Sequence, residues 1–475
     1  MSLKINNTLT GHKEEFKSIE KGKVKMYACG ITVSGDAHIG HAYQAVIFDM
    51  IRKYLEYSGY SVTYVRNYTD VDDKIIINAR KKGVDPLEYA QHYIDKTNKE
   101  LKLLGVEEPT IQARTTECIP DMIEFISKLI DKGHAYATDD GNVYFNVTSF
   151  KNYGEFSNKK LDELLSGVRK ELEPGKKDER DFALWKKAGN DEIYWDSPWG
   201  KGRPGWHIEC STMSMKFLGE TLDIHGGGRD LKFPHHENEI GQSEALTGKR
   251  FSNYWIHNGL VKINGQKMSK SLGNGILLKD LLKEYDSDVI KMTLLRNKYS
   301  SDLNVVPGMF EENERKVYHI YKLFNYVNEN GSEFIINKES LLYKEIINNF
   351  IKAMDDDFNA SIALSELISK LSVFENMMRN RKEMQSLVDA VAAIKDAYTV
   401  LGLFTKQPSL VIENIKNKYL SKNNITEEQI IDLIEKRKKL KKEGNYLESD
   451  KIREKLQERG IEIRDTREKT LWDIL

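Results

Sequence analysis

The residues of this chain predict an α/β fold: a Rossmann-type parallel sheet interrupted by an inserted α+β module, then a helical bundle and a small charged C-terminal domain. Three observations carry the prediction. Strand-like runs alternate with long helical runs up to about residue 305. Residues 120–195 break that rhythm with turn chemistry and short β-prone arms. Beyond 305 the strand signals vanish and amphipathic helical patterns take over.

In chain order, KVKMYAC at 23–29 alternates polar and apolar residues as a strand does. A glycine-bearing loop leads into a helical run from His38 to about Tyr57. SVTYVRNY at 61–68 is a second strand, followed by helices. In AYATDDGNVYFNV at 135–147, Asp140-Gly141 marks a tight turn between two β arms. The βα pattern resumes with TLDIHGG at 221–227 and YWIHNGLVKI at 254–263. Residues 308–404 read as several amphipathic helices, which pack as a bundle. Residues 409–475 read as helical and charged, with the run KRKKLKK at 436–442. The expected division is 1–119 and 196–305 for the two halves of the parallel-sheet domain, 120–195 for the insertion, 306–405 for the bundle and 406–475 for the last domain.

The totals narrow the function classes. At 475 residues, 40% hydrophobic and 31% charged, the chain can bury a large core and stay soluble. The formal net charge is -1, so a nucleic-acid partner has to be held by local basic patches. Cys29, Cys118 and Cys210 are few, odd in number and far apart, which excludes a disulfide framework. The opening MSLKINNTLTGHKEE has no apolar core of the signal-peptide kind, and no stretch approaches the ~18 apolar residues of a membrane span. The expectation is a cytoplasmic protein with reduced thiols and no membrane partner.

His38-Ile39-Gly40-His41 follows the first strand and opens the first helix. Helix-start N–H groups are unsatisfied and favour an anion, and Gly40 lets a ligand come close. His38 and His41 share a face of the first turn and can donate to phosphate oxygens. Alone, the string is weak evidence, and two surface histidines are the better reading of it. Lys267-Met268-Ser269-Lys270-Ser271 follows a strand and an Asn264-Gly265 turn. Two lysines and two hydroxyls on a loop suit a triphosphate that is gripped and released. Together, in this order and on these elements, the two strings resemble the HIGH and KMSKS signatures of class I aminoacyl-tRNA synthetases.

Cys29 ends the first strand, Cys210 lies in GWHIECS, and His235 and Glu239 lie in FPHHENE. A helix starting near Pro234 puts His235 and Glu239 on one face and turns His236 about 100° away. Two thiolates, an imidazole and a carboxylate form a plausible zinc set. Spacing alone leaves open the reading of buried apolar cysteines beside a satisfied histidine–carboxylate pair.

CGITV with HIGH, GWHIECS, DIHGGGRDLKFPHHENE, and WIHNG before KMSKS resemble cysteinyl-tRNA synthetases in particular, and the resemblance runs through the whole chain. It implies that Cys29, Cys210, His235 and Glu239 hold one Zn2+ that takes the substrate thiolate, and that Thr69 and Trp206 line the L-cysteine pocket. It implies ATP with Mg2+, phosphate contacts by His38, Gly40, His41, Lys267 and Lys270, and transfer of cysteine to the 3′ end of tRNA(Cys). The insertion is short, so selection at binding is expected without an editing domain. Two positions depart from the family pattern: Ser34 stands where an aromatic residue is usual, and Tyr43 where arginine is often found. A rival activity is a cysteine ligase that passes the same adenylate to a small amine acceptor. The segment GIEIRDTREKTLWDIL and the basic run argue for an anticodon-binding end instead. Trp472 there reads either as a base-stacking platform or as helix packing.

Overall fold

Five parallel strands build the central sheet: β1 (Lys23–Thr32), β2 (Ser61–Thr69), β3 (Ile111–Arg114), β4 (Leu222–Gly228) and β5 (Ser252–Asn258). Their order is β5-β4-β1-β2-β3. The computed structural model describes residues 2–158, 175–189, 192–268, 273–465 and 470–474. β1 lies at the centre, covered on both faces, so the alternation read over 23–29 holds only to Met26 and gives way to a continuous buried run from Met26 to Cys29. The register of β1 with β2 slips between Ala28 and Ile31. Gly30 sits in that slip because a Cβ there would lie 1.6 Å from the Asn67 carbonyl oxygen. The Gly30 N–H donates to Asn67 Oδ1 at 2.8 Å.

The crossover from β1 to β2 is α1 (Ile39–Tyr57), whose Ala42, Val46, Ile51 and Leu55 are buried. Its N-cap is His38, whose Nδ1 accepts from the Gly40 N–H at 3.1 Å. Between β3 and β4 the chain forms a four-stranded antiparallel sheet from Ala135–Ala137, Val143–Phe145, Phe182–Lys187 and Gly202–Pro204. Ala137 faces Val143 across the Asp140-Gly141 turn. The fourth strand lies past residue 195. α2 (Trp206–Leu218) then leads to β4, and α3 (Glu237–Thr247) joins β4 to β5. The run 254–263 is shared between two strands. Val261–Ile263 leaves the central sheet to pair in parallel with Leu303–Val305 and antiparallel with Gln266–Lys267.

By contacts the chain forms two units, one of residues 1–307, 347–366 and 397–403, the other of 308–346, 367–396 and 404–475. In the second, Ile430, Ile434, Ile452, Leu456, Ile461 and Ile463 share one apolar cluster. The expectation of an all-helical end fails at a hairpin, Ile461–Asp465 against Thr470–Ile474. Ile461 and Ile463 alternate with exposed Glu462 and Arg464, the period of a strand. A first hairpin, Lys4–Asn7 with His12–Glu15, also went unread, because KINN and HKEE carry no apolar alternation. No helix among the described residues is long and apolar enough to cross a membrane.

Candidate active site and metal centre

The carboxyl edge of the parallel sheet gathers the chemistry, as the open α/β architecture dictates. Cys29 comes from β1, Cys210 from the second turn of α2, and His235 and Glu239 flank the start of α3. All four are at most 2% exposed. Their donor atoms lie within 4.8 Å of one another. His235 Nε2 stands 3.1 Å, and Cys29 Sγ 3.3 Å, from Glu239 Oε1. Neighbouring donors of a tetrahedral zinc are about 3.3–3.8 Å apart, so the donor types suit that ion and these two separations lie at or just under its range. The α-helix proper begins at Glu237. Residues 232–236 form a wider turn in which Phe233 is extended at φ -141 and ψ 134.

The sequence reading missed a second set. Cys29 and Glu239 are shared with His225 and His236 in an overlapping group of four buried donors. His225 Nε2 lies 3.2 Å from Glu239 Oε2 and 3.6 Å from Cys29 Sγ. His236, expected to point away, has its Nε2 3.9 Å from Glu239 Oε1. Its Nδ1 pairs with His257 Nε2 at 2.8 Å, and His257 Nδ1 with Thr8 Oγ1 at 2.9 Å. The signal for His225 was its place in a buried strand, but the register setting it opposite Tyr27, two residues before Cys29, is not written in one sequence.

Burial dominates the electrostatics. It opposes charge on His235, yet the Glu239 carboxylate and the Cys210 sulfur outweigh it and hold the imidazole up to about 10. Burial, with Cys210 and Glu239 close by, pushes the Cys29 thiol well up. Cys210 is also raised by burial, but Cys29 and His235 win and bring it down to about 6. Zinc is held by thiolates and neutral imidazole, so these residues would hold it in their deprotonated forms.

Thr69, at the end of β2, donates to Glu209 Oε2 at 2.7 Å, and Thr115 donates to the same atom at 2.8 Å. Burial pushes the Glu209 carboxyl well above the usual carboxylate range, against the pull of those hydroxyls. Trp206 is 40% exposed and stacks on His235 with ring centroids 4.3 Å apart. Trp206 therefore borders the metal set, while Thr69 meets Glu209, the residue before Cys210.

Beside it lies a cavity of about 300 Å³ lined by His38, Gly40, His41, Gly228, Asp230, Lys267 and Met268, among others. The His38 and His41 rings stack with centroids 3.6 Å apart. A Cβ on Gly40 would stand 3.0 Å from the His38 ring and 3.3 Å from Met268 Cε, filling the cavity's edge. Lys267 lies exposed on the edge strand Gln266–Lys267. Ser269, Lys270 and Ser271 lie outside the described residues. Of the two departures, Tyr43 is buried in the cavity wall and donates its hydroxyl to the Tyr299 carbonyl at 3.0 Å. The Ser34 carbonyl accepts from Asn78 and Tyr89.

In the second unit, KRKKLKK divides by face. Arg437 is buried and makes a two-pronged pair with Asp465 at 2.9 and 3.0 Å, and Lys441 joins at 2.8 Å. Lys436, Lys438, Lys439 and Lys442 are exposed. Trp472 packs against the apolar cluster there, with Lys416 Nζ 4.6 Å from its ring centre. Residues 466–469 of the final segment lie outside the described residues.

Residues 15–315 match the tRNA synthetases class I (C) catalytic domain, and residues 349–405 match the DALR domain. A cysteine–tRNA ligase of Thermodesulfovibrio yellowstonii is 46% identical over 99% of both chains. One from Geobacter sulfurreducens is 44% identical over 100% of both. In fold, a Mycobacterium tuberculosis methionyl-tRNA synthetase in complex with methionyl-adenylate superposes with TM-score 0.59 at 14% identity, covering 86% of this chain and 95% of that one. An Agrobacterium radiobacter LeuRS–tRNA–LeuAMS complex gives 0.60 at 13% identity, covering 85% of this chain and 86% of that one. With a catalytic-domain match over more than half its residues and full-length relatives at this identity, the chain belongs to the cysteine–tRNA ligase family of class I tRNA synthetases.

Proposed function

We propose that this protein activates L-cysteine with ATP, forming cysteinyl-adenylate and pyrophosphate, and then esterifies cysteine to the 3′ end of tRNA(Cys). The observation that carries this reading is the convergence of Cys29, Cys210, His235 and Glu239 beside the His38–His41 cavity. These four would hold zinc, which supplies a soft centre that binds a thiolate and discriminates against a serine hydroxyl. Hydrophobic pockets separate such near-isosteres only roughly 10²-fold.

His38 and His41 donate to phosphate oxygens as the cysteine carboxylate attacks the α-phosphate, and Gly40 gives the nucleotide room. Lys267 and Lys270 neutralise the departing pyrophosphate, with Mg2+ brought by the nucleotide. Thr69 and Trp206 hold the amino acid in line. We assign residues 1–119 and 196–305 to the catalytic domain, 120–195 to a connecting insertion, 306–405 to the bundle and 406–475 to anticodon binding. The exposed lysines 436, 438, 439 and 442 suit a phosphate backbone. Three free buried cysteines suit a reducing, cytoplasmic setting. A small-amine acceptor is not favoured, since the tRNA ligase relatives align over the whole chain, C-terminal segment included. The test is ATP–pyrophosphate exchange with each of the twenty amino acids, together with metal analysis. Exchange driven by cysteine alone, with one zinc per chain, is expected. Exchange with another amino acid, or an active zinc-free protein, would overturn the reading.

A further inference from the structure

We infer that Asp357 is a positioning residue for the nucleotide: it holds Tyr299, whose backbone carbonyl fixes one wall of the His38–His41 cavity. The inference rests on the cysteine-activating reading and adds a support from outside the residues matched to the catalytic domain. Asn258, Gly259, Leu260 and Val261 form that wall. Residues 299–303 run directly behind it. The Tyr299 carbonyl accepts from the Gly259 N–H at 2.8 Å and from the Tyr43 hydroxyl at 3.0 Å. A Cβ on Gly259 would stand 2.1 Å from the Ser301 carbonyl oxygen, so the two backbones are in direct contact. The Leu260 N–H donates to Asp302 Oδ1 at 3.0 Å, and the Leu303 N–H donates to the Leu260 carbonyl at 2.9 Å. Gly259 and Tyr43 reach the cavity from different elements and share one acceptor. Where the Tyr299 carbonyl stands therefore decides where both of them stand.

Asp357 holds the side-chain end of the same tyrosine. Its Oδ1 accepts from the Tyr299 hydroxyl at 2.7 Å and from the Asn6 N–H at 2.8 Å, and its Oδ2 pairs with Lys298 Nζ at 2.9 Å. Asp357 is fully buried and Tyr299 is 3% exposed, so no water stands ready to replace either partner. The backbone at this point is strained. Asp357 and Phe358 are consecutive non-glycine residues in the left-handed region, at φ 70 and φ 51. Such a conformation persists only where the surroundings over-determine it, and a bulky residue seldom adopts it. The strained turn aims its carboxylate at Lys298 and Tyr299, the start of the stretch behind the wall. Residues 347–366 pack within the first unit, so Asp357 shares one body with the cavity although it falls in the span matched to the DALR domain.

The test compares Tyr299→Phe, Asp357→Gly and Asp357→Asn in the full-length, zinc-loaded chain. Phenylalanine removes one hydroxyl and leaves the carbonyl in the chain. Glycine adopts the left-handed backbone freely and removes the carboxylate. Asparagine also tolerates that backbone and keeps an acceptor for Tyr299. Each protein is assayed for the KM of ATP and of cysteine in pyrophosphate exchange, for zinc content, and by urea unfolding. Tyr299→Phe and Asp357→Gly are expected to raise the ATP KM about threefold to tenfold, the scale of one hydrogen bond. The cysteine KM and zinc content should stay put, because neither reads this wall. Asp357→Asn should stay within about twofold of the unaltered chain, since the acceptor is kept. A shifted urea midpoint with both KM values unmoved makes Asp357 a structural tie only and overturns the inference. So does an equal rise in the two KM values, or an Asp357→Asn protein as impaired as Asp357→Gly. If Asp357→Gly does not fold, Tyr299→Phe decides by the same criteria. Absence of cysteine-dependent exchange in the unaltered chain would instead strike the activity reading itself and take this inference with it.

Discussion

Gly30→Ala removes no ligand and still should damage the metal centre. The added methyl would sit 1.6 Å from the Asn67 carbonyl oxygen and 2.7 Å from its carbon. A close carbon–oxygen contact is about 3.3 Å, so the two strands must separate by roughly 1.7 Å. Neither neighbour is a flexible side-chain end; both are backbone of central strands. The displacement falls on Cys29, the adjacent residue, and on Asn67. Asn67 Oδ1 takes the Gly30 N–H at 2.8 Å and lies 3.7 Å from Cys210 Sγ, so both sulfurs feel it. Zinc sites tolerate only about ±0.2 Å in ligand distance. We expect zinc affinity to fall about 10–100-fold, the scale seen when a ligand loses its support. Strain from overpacking should add a loss of about 1–3 kcal/mol in stability. Competition for zinc against a chromophoric chelator, run beside urea unfolding, measures both. Wild-type zinc affinity in a folded Gly30→Ala protein would refute the reasoning.

Lys270→Ala should slow adenylate formation on the order of 10²-fold while leaving the cysteine KM nearly unchanged; a near-normal pre-steady-state rate would make it a solvated charge only. Replacing Lys436 and Lys439 together by glutamate should weaken tRNA charging and flatten its salt dependence while sparing pyrophosphate exchange; normal charging would detach the exposed lysines from the tRNA. Asp465 is held well below the ordinary carboxylate range by Arg437 and then Lys441. A lowered native pKa means its stabilisation is complete above the unfolded value of about 3.9 and drains away as pH falls below it. Urea melts of the protein and of Asp465→Asn should therefore differ at pH 7 and converge below about pH 4. Parallel curves across that range would remove the pair from the stability of this unit.

What the sequence disclosed depended on whether a signal was local. The first strand, the helix opening at His38 and the fourfold spacing of His235 and Glu239 are short-range patterns, and the structure has each of them, though the strand runs past Cys29 to Thr32. His225, His236 and Glu209 lie inside the quoted strings DIHGGGRDLKFPHHENE and GWHIECS, yet were not legible as neighbours of the metal set, because parallel register and the turn before α3 decide what they meet. The basic run misled in one respect. A string of cations reads as a solvated surface, whereas Arg437 is turned inward to Asp465 across 28 residues. Trp472 took the packing role of its two readings, with its ring on the apolar cluster and Lys416 over its face. The C-terminal hairpin carried a period-two signal at Ile461 and Ile463, drowned by the charges around it.

The donors of the metal set are drawn from segments far apart, with Cys29 and Glu239 separated by 210 residues. On the ribosome the first thiol emerges long before the last carboxylate. At synthesis rates of 5–20 residues per second, roughly ten to forty seconds pass between them. Through that interval a nascent chain offers isolated, weak ligands to any soft metal it meets. The set comes together only when α2, α3 and the strand carrying Cys29 have docked. A chain stalled before Glu239 would lack the last of the four donors, so the set is completed only at the end of catalytic-domain assembly.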